Sequence, residues 1–191
     1  MITLNRRQFL ATSSAFAGMS ASAGFANSPP TNLIEQESDV QLLPGDYGKT
    51  SLWCFDGSSP GPEIRVAQGG RVQRRLVNRF SQGTSTHWHG IRIDNAMDGV
   101  SGLTQDAVQP GNAFDYDFIV PDAGTYWYHA HNRSLEQVAR GLYGALIVEE
   151  ADPLDIDREE VLILDDWLID PETAQIKDDF GAGHDLSLIH I

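Results

Sequence analysis

The sequence has little cysteine and few cations, and each shortage excludes a class of protein. One cysteine in 191 residues excludes a disulfide framework and any multi-cysteine zinc or iron–sulfur site. With 13 Lys and Arg against 27 Asp and Glu, the formal net charge is -14, which excludes a generic nucleic-acid binder. A metal site in this chain therefore has to depend on its six histidines or on carboxylates.

Residues 1–26 lack the long apolar run of a membrane anchor. Arg6 and Arg7 precede a weakly apolar stretch rich in Ala, Ser and Gly, with no acidic residue. The serines dilute this stretch, which is shorter than the roughly 20 apolar residues of a transmembrane helix. The segment resembles a twin-arginine signal peptide with two candidate cleavage sites, after residue 23 or residue 26. We therefore expect export to the periplasm without stable membrane insertion.

The rest of the chain predicts one compact all-β domain. Its short apolar runs are separated by turn signals, and the 18 Gly and 9 Pro favour a turn-rich sandwich. The clearest strand covers residues 114–118, where three aromatic residues alternate with two aspartates and should share one buried face. We predict a short helix over 134–140 with Ser134 as its N-cap. The predicted strands are 50–56, 63–67, 71–78, 84–93, 113–120, 125–131, 142–148 and 161–167.

The predicted domain covers residues 40–170, after a linker at 27–39. Past Glu150 the composition turns acidic, and the final residues show no clear pattern. We interpret residues 171–191 as a truncated or non-native tail, and the chain as a fragment of a longer protein.

Two His-x-His pairs, His87 with His89 and His129 with His131, are the main candidates for chemistry. In a β-strand, residues i and i+2 project from the same face about 7 Å apart, so each strand directs two imidazoles into one space. One such pair is weak support for a metal site, whereas two pairs beside aromatic residues and glycines in one domain favour it. An all-imidazole set favours copper or zinc over calcium or magnesium.

A series of further motifs accompanies these pairs in a specific order. They lie at residues 55–57, 60–65, 87–90, 97–99, 104–105, 110–111, 124–131 and 141–144. Together they resemble the first cupredoxin domain of a multicopper oxidase, the family of laccases, bilirubin oxidases and bacterial copper-efflux oxidases. The resemblance covers about residues 40–170. It implies a cupredoxin-like Greek-key β-sandwich whose His-x-His pairs hold part of a three-copper cluster that reduces O2 to water.

The resemblance also implies a role for each candidate residue. It assigns His87 to the type 2 copper, and His89, His129 and His131 to the type 3 pair. Asp98 lies where the family carries an acid near the cluster, and its implied role is proton supply. Without the resemblance to this family, the Asp98-Gly99 sequence would indicate an ordinary turn.

Other residues near the motifs have plainer interpretations. We predict that Trp88, Trp127, Tyr126 and Tyr128 pack around the site rather than relay electrons. Cys54 is interpreted as a buried strand residue and not as the ligand of a type 1 copper. The type 1 site, which the family builds from a later His-Cys-His sequence, has no counterpart in this chain.

The function that this pattern favours is that of an amino-terminal domain of an exported multicopper oxidase. The parent would couple one-electron oxidation of phenols or cuprous ion to reduction of O2, with its remaining cupredoxin domains as partners. This chain supplies two of the four His-x-His pairs, so we expect it to be incomplete on its own and to bind copper weakly.

The alternatives are a non-catalytic periplasmic copper-binding module, a structural relative without metals, and a zinc hydrolase or lyase. The four retained histidines oppose the structural relative, and the sequence offers no recognisable third ligand and catalytic acid for the zinc enzyme.

Overall fold

The computed structural model of the protein describes residues 29–152 and 155–177. Almost all regular structure in these residues is β-strand, and the only α-helix among them has six residues. The strands are β1 Thr31–Val40, β2 Thr50–Phe55, β3 Ile64–Ala67, β4 Arg71–Asn78, β5 Thr86–His89, β6 Ala113–Ile119, β7 Gly124–Ala130, β8 Tyr143–Glu149, β9 Ile169–Asp170 and β10 Gln175–Ile176. The helix α1 spans Ser134–Ala139, and a 3-10 turn spans Asn95–Met97. No helix in the described part of the chain is long and apolar enough to cross a membrane.

Two four-stranded sheets form a β-sandwich, as the sequence predicts. One sheet has the order β2-β1-β4-β6 and the other has the order β3-β8-β7-β5. The pairs β1–β4 and β3–β8 are parallel, and the other neighbours in these two sheets are antiparallel. Parallel neighbours cannot be joined by a tight hairpin, so the chain crosses between the two sheets before it returns to each of them.

The core between the sheets is built on aromatic residues. Trp88 of β5 is fully buried, with its ring centroid 5.5 Å from that of Tyr116, 5.0 Å from Phe118 and 5.7 Å from Tyr128. The alternation predicted for β6 is confirmed, because Tyr116 and Phe118 are buried while Asp115 is exposed. Each of these large side chains contributes roughly 2 kcal/mol or more by its burial. Because Trp88 faces this core, its two sequence neighbours face the opposite side of β5.

Strand β1 is the main departure from the predicted boundaries. It occupies most of the stretch expected to be a linker and forms the centre of its sheet, between β2 and β4. The segment contains few apolar residues, and one of its core-facing positions is Glu35, so its hydrophobic pattern is too weak to mark a strand. The part of the expected signal peptide and linker at residues 1–28 lies outside the described residues.

The strand predicted at 161–167 is wrong. These residues pair with no strand in the described part of the chain, and the side chains of Leu162 and Leu164 are 83% and 90% exposed. The apolar pattern is present, but a strand also requires a partner for its backbone hydrogen bonds. One contact to the sandwich is a hydrogen bond of 2.5 Å that the Tyr143 hydroxyl donates to Asp165.

The beginning of the expected tail belongs to the folded domain. Strands β9 and β10 form a small hairpin that lies against β2. The Thr50 hydroxyl donates to the carbonyl oxygen of Ala174 at 2.7 Å, and the Ser51 amide donates to Gln175 Oε1 at 2.9 Å. Residues 178–191 lie outside the described residues.

Two local predictions also need correction. Helix α1 begins after Arg133, whose backbone is left-handed with φ 53° and whose side chain makes no cap hydrogen bond, so Ser134 is the first helical residue and not the N-cap. Strand β5 is shorter than predicted because the chain turns at Gly90, where φ is 84°.

The loop that follows the 3-10 turn covers the free edge of β5. A Cβ atom added to Gly99 would lie 1.8 Å from the carbonyl oxygen of Thr86, so the loop backbone packs directly against the strand. Gly102 has the same φ of 79°, but a Cβ there would meet nothing within 4 Å. Gly99 therefore combines a left-handed backbone with a close contact to β5, whereas Gly102 has the left-handed backbone alone.

Replacing Gly99 by Ala should therefore destabilise the domain much more than replacing Gly102. Gly102→Ala carries only the conformational cost of a left-handed non-glycine residue, about 1–2 kcal/mol. Gly99→Ala adds the clash with Thr86 and should at least double that loss. Urea unfolding of both variants measures the difference, and equal losses would show that the loop does not press on β5.

Candidate metal centre

The pairing of β5 with β7 brings the two His-x-His pairs together. In this antiparallel ladder His87 lies directly opposite His129, and Trp88 lies opposite Tyr128. Since side chains alternate along a strand, the histidines occupy one face of the sheet while Trp88 and Ala130 face the core. His131 follows the last residue of β7, where its amide donates to the carbonyl oxygen of Ser85 at 2.8 Å.

All four predicted ligands lie in one cluster. The centroid of the His87 ring is 5.4 Å from that of His89, 5.3 Å from that of His129 and 5.2 Å from that of His131. His87, His89 and His129 each offer a ring nitrogen, and these three atoms lie within 4.8 Å of one another. His129 is buried, whereas His89 is exposed, so the cluster opens to one side of the sandwich.

Backbone carbonyls fix the orientation of two of the rings. The Nδ1 atom of His87 lies 2.7 Å from the carbonyl oxygen of Asp98, and Nδ1 of His129 lies 3.0 Å from that of Ala130. A carbonyl oxygen can only accept, so each Nδ1 carries a proton, and in a neutral ring the lone pair then lies on Nε2. Such a partner on the outer nitrogen is the usual support of a metal-binding histidine. The Nε2 atom of His129 lies 3.2 Å from Nδ1 of His89, within hydrogen-bond distance.

Asp98 contacts the cluster, but mainly through its backbone. Its carboxylate oxygen Oδ1 lies 3.4 Å from Nδ1 of His87, farther than its own carbonyl oxygen. Asp98 ends the 3-10 turn, and Asp94 caps that turn by accepting a hydrogen bond from the Ala96 amide at 3.0 Å. The family resemblance predicted that Asp98 lies near the cluster. It could not predict that the backbone carbonyl oxygen of Asp98, rather than its carboxylate, is the closer contact of His87.

Burial favours the neutral form of two of the four imidazoles. It lowers the pKa of His129 to about 4, with smaller contributions from the neighbouring histidines and an opposing one from the Ala130 carbonyl. The pKa of His89 is also lowered, first by burial and then by repulsion from His87 and His131. Metal binding requires unprotonated imidazole, so these pKa shifts favour coordination near neutral pH.

The aromatic residues around the cluster pack, as predicted. The Trp127 ring stacks on His129 with centroids 4.1 Å apart, and it lies 5.0 Å from the ring of His89. The Tyr128 hydroxyl donates to the carbonyl oxygen of Pro62 at 2.7 Å from the core side of the sheet. Cys54 is a buried free cysteine of β2, as expected for a strand residue.

The residues present fit a copper ion. The donor set is imidazole nitrogen, backbone carbonyls hold the Nδ1 atoms of His87 and His129, and the lowered pKa values of His89 and His129 favour their neutral forms. Imidazole suits copper, zinc, iron and nickel, so the donor set alone does not choose between them. The fold and the cluster define a candidate transition-metal site on a cupredoxin-like β-sandwich.

Comparison with known proteins identifies the family. A family model described as multicopper oxidase matches residues 37–153. The chain belongs to the multicopper oxidase family.

Its relatives include copper proteins of bacteria. Copper resistance protein A of Pseudomonas syringae pv. tomato is 45% identical over 121 residues, which cover 62% of this chain and 20% of that protein. The multicopper oxidase MmcO of Mycobacterium tuberculosis is 41% identical over 118 residues, which cover 61% of this chain and 23% of that protein. The chain thus spans about a fifth of the length of these relatives.

Solved structures agree with the cupredoxin-like architecture. Lac15 from a marine microbial metagenome superimposes with a TM-score of 0.74 and 49% identity, covering 78% of this chain and 39% of that one. The multicopper oxidase of Pseudomonas thermotolerans gives a TM-score of 0.72 and 41% identity, covering 78% and 37%. This agreement confirms the predicted fold class.

The lowered pKa of His129 predicts how the metal-free chain responds to acid. Unfolded histidine binds a proton near its ordinary pKa of 6.5, whereas folded His129 does so only near 4. The stability contributed by this residue is therefore complete above pH 6.5 and is lost as the pH falls towards 4, by on the order of 3 kcal/mol. Urea unfolding at pH 7 and pH 4.5 should show a smaller pH effect for His129→Gln than for the original chain. If the free energy of unfolding changed equally with pH in both proteins, the lowered pKa of His129 would be contradicted.

Proposed function

We propose that this chain is the amino-terminal cupredoxin domain of an exported multicopper oxidase that couples one-electron oxidation of a substrate to reduction of O2 to water. The observation that carries the proposal is the packing of two His-x-His pairs into one cluster on the face of a cupredoxin-like sandwich. Family membership supports copper as the metal. The matched relatives are several times longer than this chain, so it would supply one part of a larger active site.

Within that site we assign His87 to a type 2 copper and His89, His129 and His131 to a type 3 pair. The support from geometry is that two histidines on one strand diverge enough to serve neighbouring metal ions. His87 is central, since its ring lies 5.2 to 5.4 Å from each of the other three. The remaining ligands and the type 1 copper would come from other cupredoxin domains of the parent protein.

Copper bound by these histidines would supply the redox chemistry, and the protein groups would position the ligands and deliver protons. The Asp98 carbonyl oxygen accepts a hydrogen bond from Nδ1–H of His87 and so holds that ring with Nε2 towards the cluster. The Asp98 carboxyl group is partly exposed and 3.4 Å from His87, a position from which it can take protons from solvent. Reduction of O2 to water consumes protons, so we assign Asp98 to proton supply.

The reductant of the parent protein is a small phenol or cuprous ion in this proposal. The substrate pocket would lie next to the type 1 copper and therefore outside this chain. Copper resistance protein A, one of the matched relatives, carries copper resistance in its name, which favours cuprous ion. Export by the twin-arginine route to the periplasm agrees with handling of copper outside the cytoplasm.

The proposal as a whole is tested by reading the gene beyond codon 191. We expect the frame to continue into two further His-x-His pairs and a His-Cys-His sequence. Expression of that full-length protein with copper should give O2 uptake with a phenol or cuprous ion. A genuine stop near codon 191 would instead support the non-catalytic copper-binding module.

The copper affinity of the chain itself should depend on both strands. His87→Gln and His129→Gln should each weaken Cu(II) binding by at least tenfold, because each removes a ligand from a different strand of one cluster. His184→Gln changes a histidine of the carboxy-terminal segment and is the matched control. Equilibrium dialysis of the metal-free chain measures the affinities.

The copper complex should lack the intense blue absorption of a copper–thiolate centre, and such a colour would contradict the ligand assignment.

Asp98→Asn should slow the full-length oxidase without removing its copper. The substitution keeps the backbone carbonyl that holds His87 but removes the dissociable proton, so kcat should fall by about 100-fold or more. The pH dependence of O2 uptake should change with it. Asp94→Asn, at the cap of the same 3-10 turn, is the control and should leave kcat within about twofold. Unchanged kcat in Asp98→Asn at full copper content would exclude Asp98 as the proton donor.

A further inference from the structure

Several polar atoms without hydrogen-bond partners lie in the core behind β5. Glu35 is fully buried on β1, and neither of its carboxyl oxygens has a partner among the described residues. The same is true of Thr86 Oγ1, Gln105 Oε1 and Trp88 Nε1. Thr86 and Trp88 occupy the core-facing side of β5, opposite His87 and His89. Buried polar atoms in native proteins are almost always satisfied, so this group requires an explanation.

The neighbours of Glu35 show which hydrogen bonds it can make. The Thr84 hydroxyl adjoins its carboxyl group, but that hydroxyl donates its single proton to Gln137 Oε1 at 3.0 Å. The orientation of the Gln137 amide is fixed, because its Nε2 donates to the carbonyl oxygen of Gly83 at 3.0 Å. Thr84 can therefore only accept from Glu35. A protonated carboxyl group can donate to it, whereas a carboxylate cannot.

Tyr116 connects Glu35 with the other unpartnered atoms. Its hydroxyl oxygen accepts a hydrogen bond from the Thr86 amide at 2.9 Å, and the Gln105 side chain adjoins the same hydroxyl. Glu35 is close enough for its charge to raise the pKa of Tyr116, although burial is the larger cause. Thr86, Gln105 and Glu35 therefore all lie near one buried phenol.

We propose that Glu35, Thr86, Gln105 and Tyr116 form an internal water-binding site behind the histidine cluster, in which Glu35 is a neutral, proton-donating carboxylic acid. A buried water makes about three hydrogen bonds to otherwise unsatisfied polar groups. Glu35 and Gln105 offer it carbonyl oxygens, and Thr86 offers a hydroxyl that can donate or accept. One or two such waters would satisfy the unpartnered oxygens of Glu35, Thr86 and Gln105.

The surroundings of Glu35 favour its neutral form. No arginine, lysine or histidine is among the causes of its shifted pKa, and burial raises that pKa to about 8. Tyr116, a titratable group near it, adds no charge at physiological pH, and burial raises its pKa further above the ordinary value. An uncompensated carboxylate in such a core would be strongly unfavourable. A protonated Glu35 avoids that cost and supplies the proton that Thr84 or a water can accept.

The site is joined to the copper-binding face by the loop over the edge of β5. Gly99 packs on the Thr86 carbonyl, Asp98 contacts His87 on one side of the strand, and Gln105 adjoins Tyr116 on the other. The water site and the histidine cluster are thus supported by the same strand and the same loop. The water site lies in the core of this chain and does not depend on whether the parent protein is an oxidase.

Infrared spectroscopy tests the protonation of Glu35. At neutral pH the folded chain should show the C=O stretch of a protonated carboxylic acid above the amide I band, and Glu35→Gln should abolish it. Glu37→Gln changes an exposed glutamate of the same strand and should leave the band in place. Absence of the band in the unsubstituted chain would overturn the proposal.

The sign of a stability change tests for the water, even if Glu35→Gln does not fold. If a water bonds to the Thr86 hydroxyl, Thr86→Val removes that bond and the urea midpoint of the metal-free chain should fall. If the site is dry, the same change removes an unsatisfied buried hydroxyl and the midpoint should rise or stay unchanged, which would overturn the proposal. Thr84→Val is the control, because it breaks the bond to Gln137 and lowers the midpoint in either case. A high-resolution crystal structure should show the water within hydrogen-bond distance of Glu35.

Discussion

The register between β5 and β7 is the constraint on which the rest of the site depends. Because His87 pairs directly with His129, the two-residue period of each strand places all four histidines on one face. A shift of this register by one residue would turn one pair of imidazoles into the core. Aromatic residues next to the histidines oppose such a shift, since Trp88 and Tyr128 are opposite each other and both are buried in the core between the sheets.

The same packing prepares the histidines for a metal. It places His129 in a buried position, which lowers the pKa of that residue and keeps its imidazole neutral. It also brings backbone carbonyls to Nδ1 of His87 and His129, so that both rings are oriented before any ion binds. Part of the folding free energy is thus spent on a preorganised donor set, and metal binding would return stability to the folded chain.

The sequence was sufficient to predict strands and site residues where the two-residue periodicity and the chemistry of the side chains agree. Alternating aromatics in β6 and the two His-x-His pairs each specify a strand and its buried face, and the structure confirms both. It was insufficient where tertiary contacts override local pattern. Strand β1 carries a glutamate at a core position, so no hydrophobic alternation marked it, whereas 161–167 begins with an apolar run but has no partner strand among the described residues. The carbonyl contact of Asp98 could not be predicted, because backbone hydrogen bonds leave no trace in side-chain identity.

The central claim is that histidines from both strands bind one metal ion or one compact group of ions. Pulsed electron paramagnetic resonance of the chain loaded with one equivalent of Cu(II) tests it by counting the imidazoles coupled to the copper. The copper should couple to at least two imidazoles, and the number should be lower in both His87→Gln and His129→Gln. A count that is unchanged by either substitution would contradict it, because the copper would then be bound elsewhere in the chain.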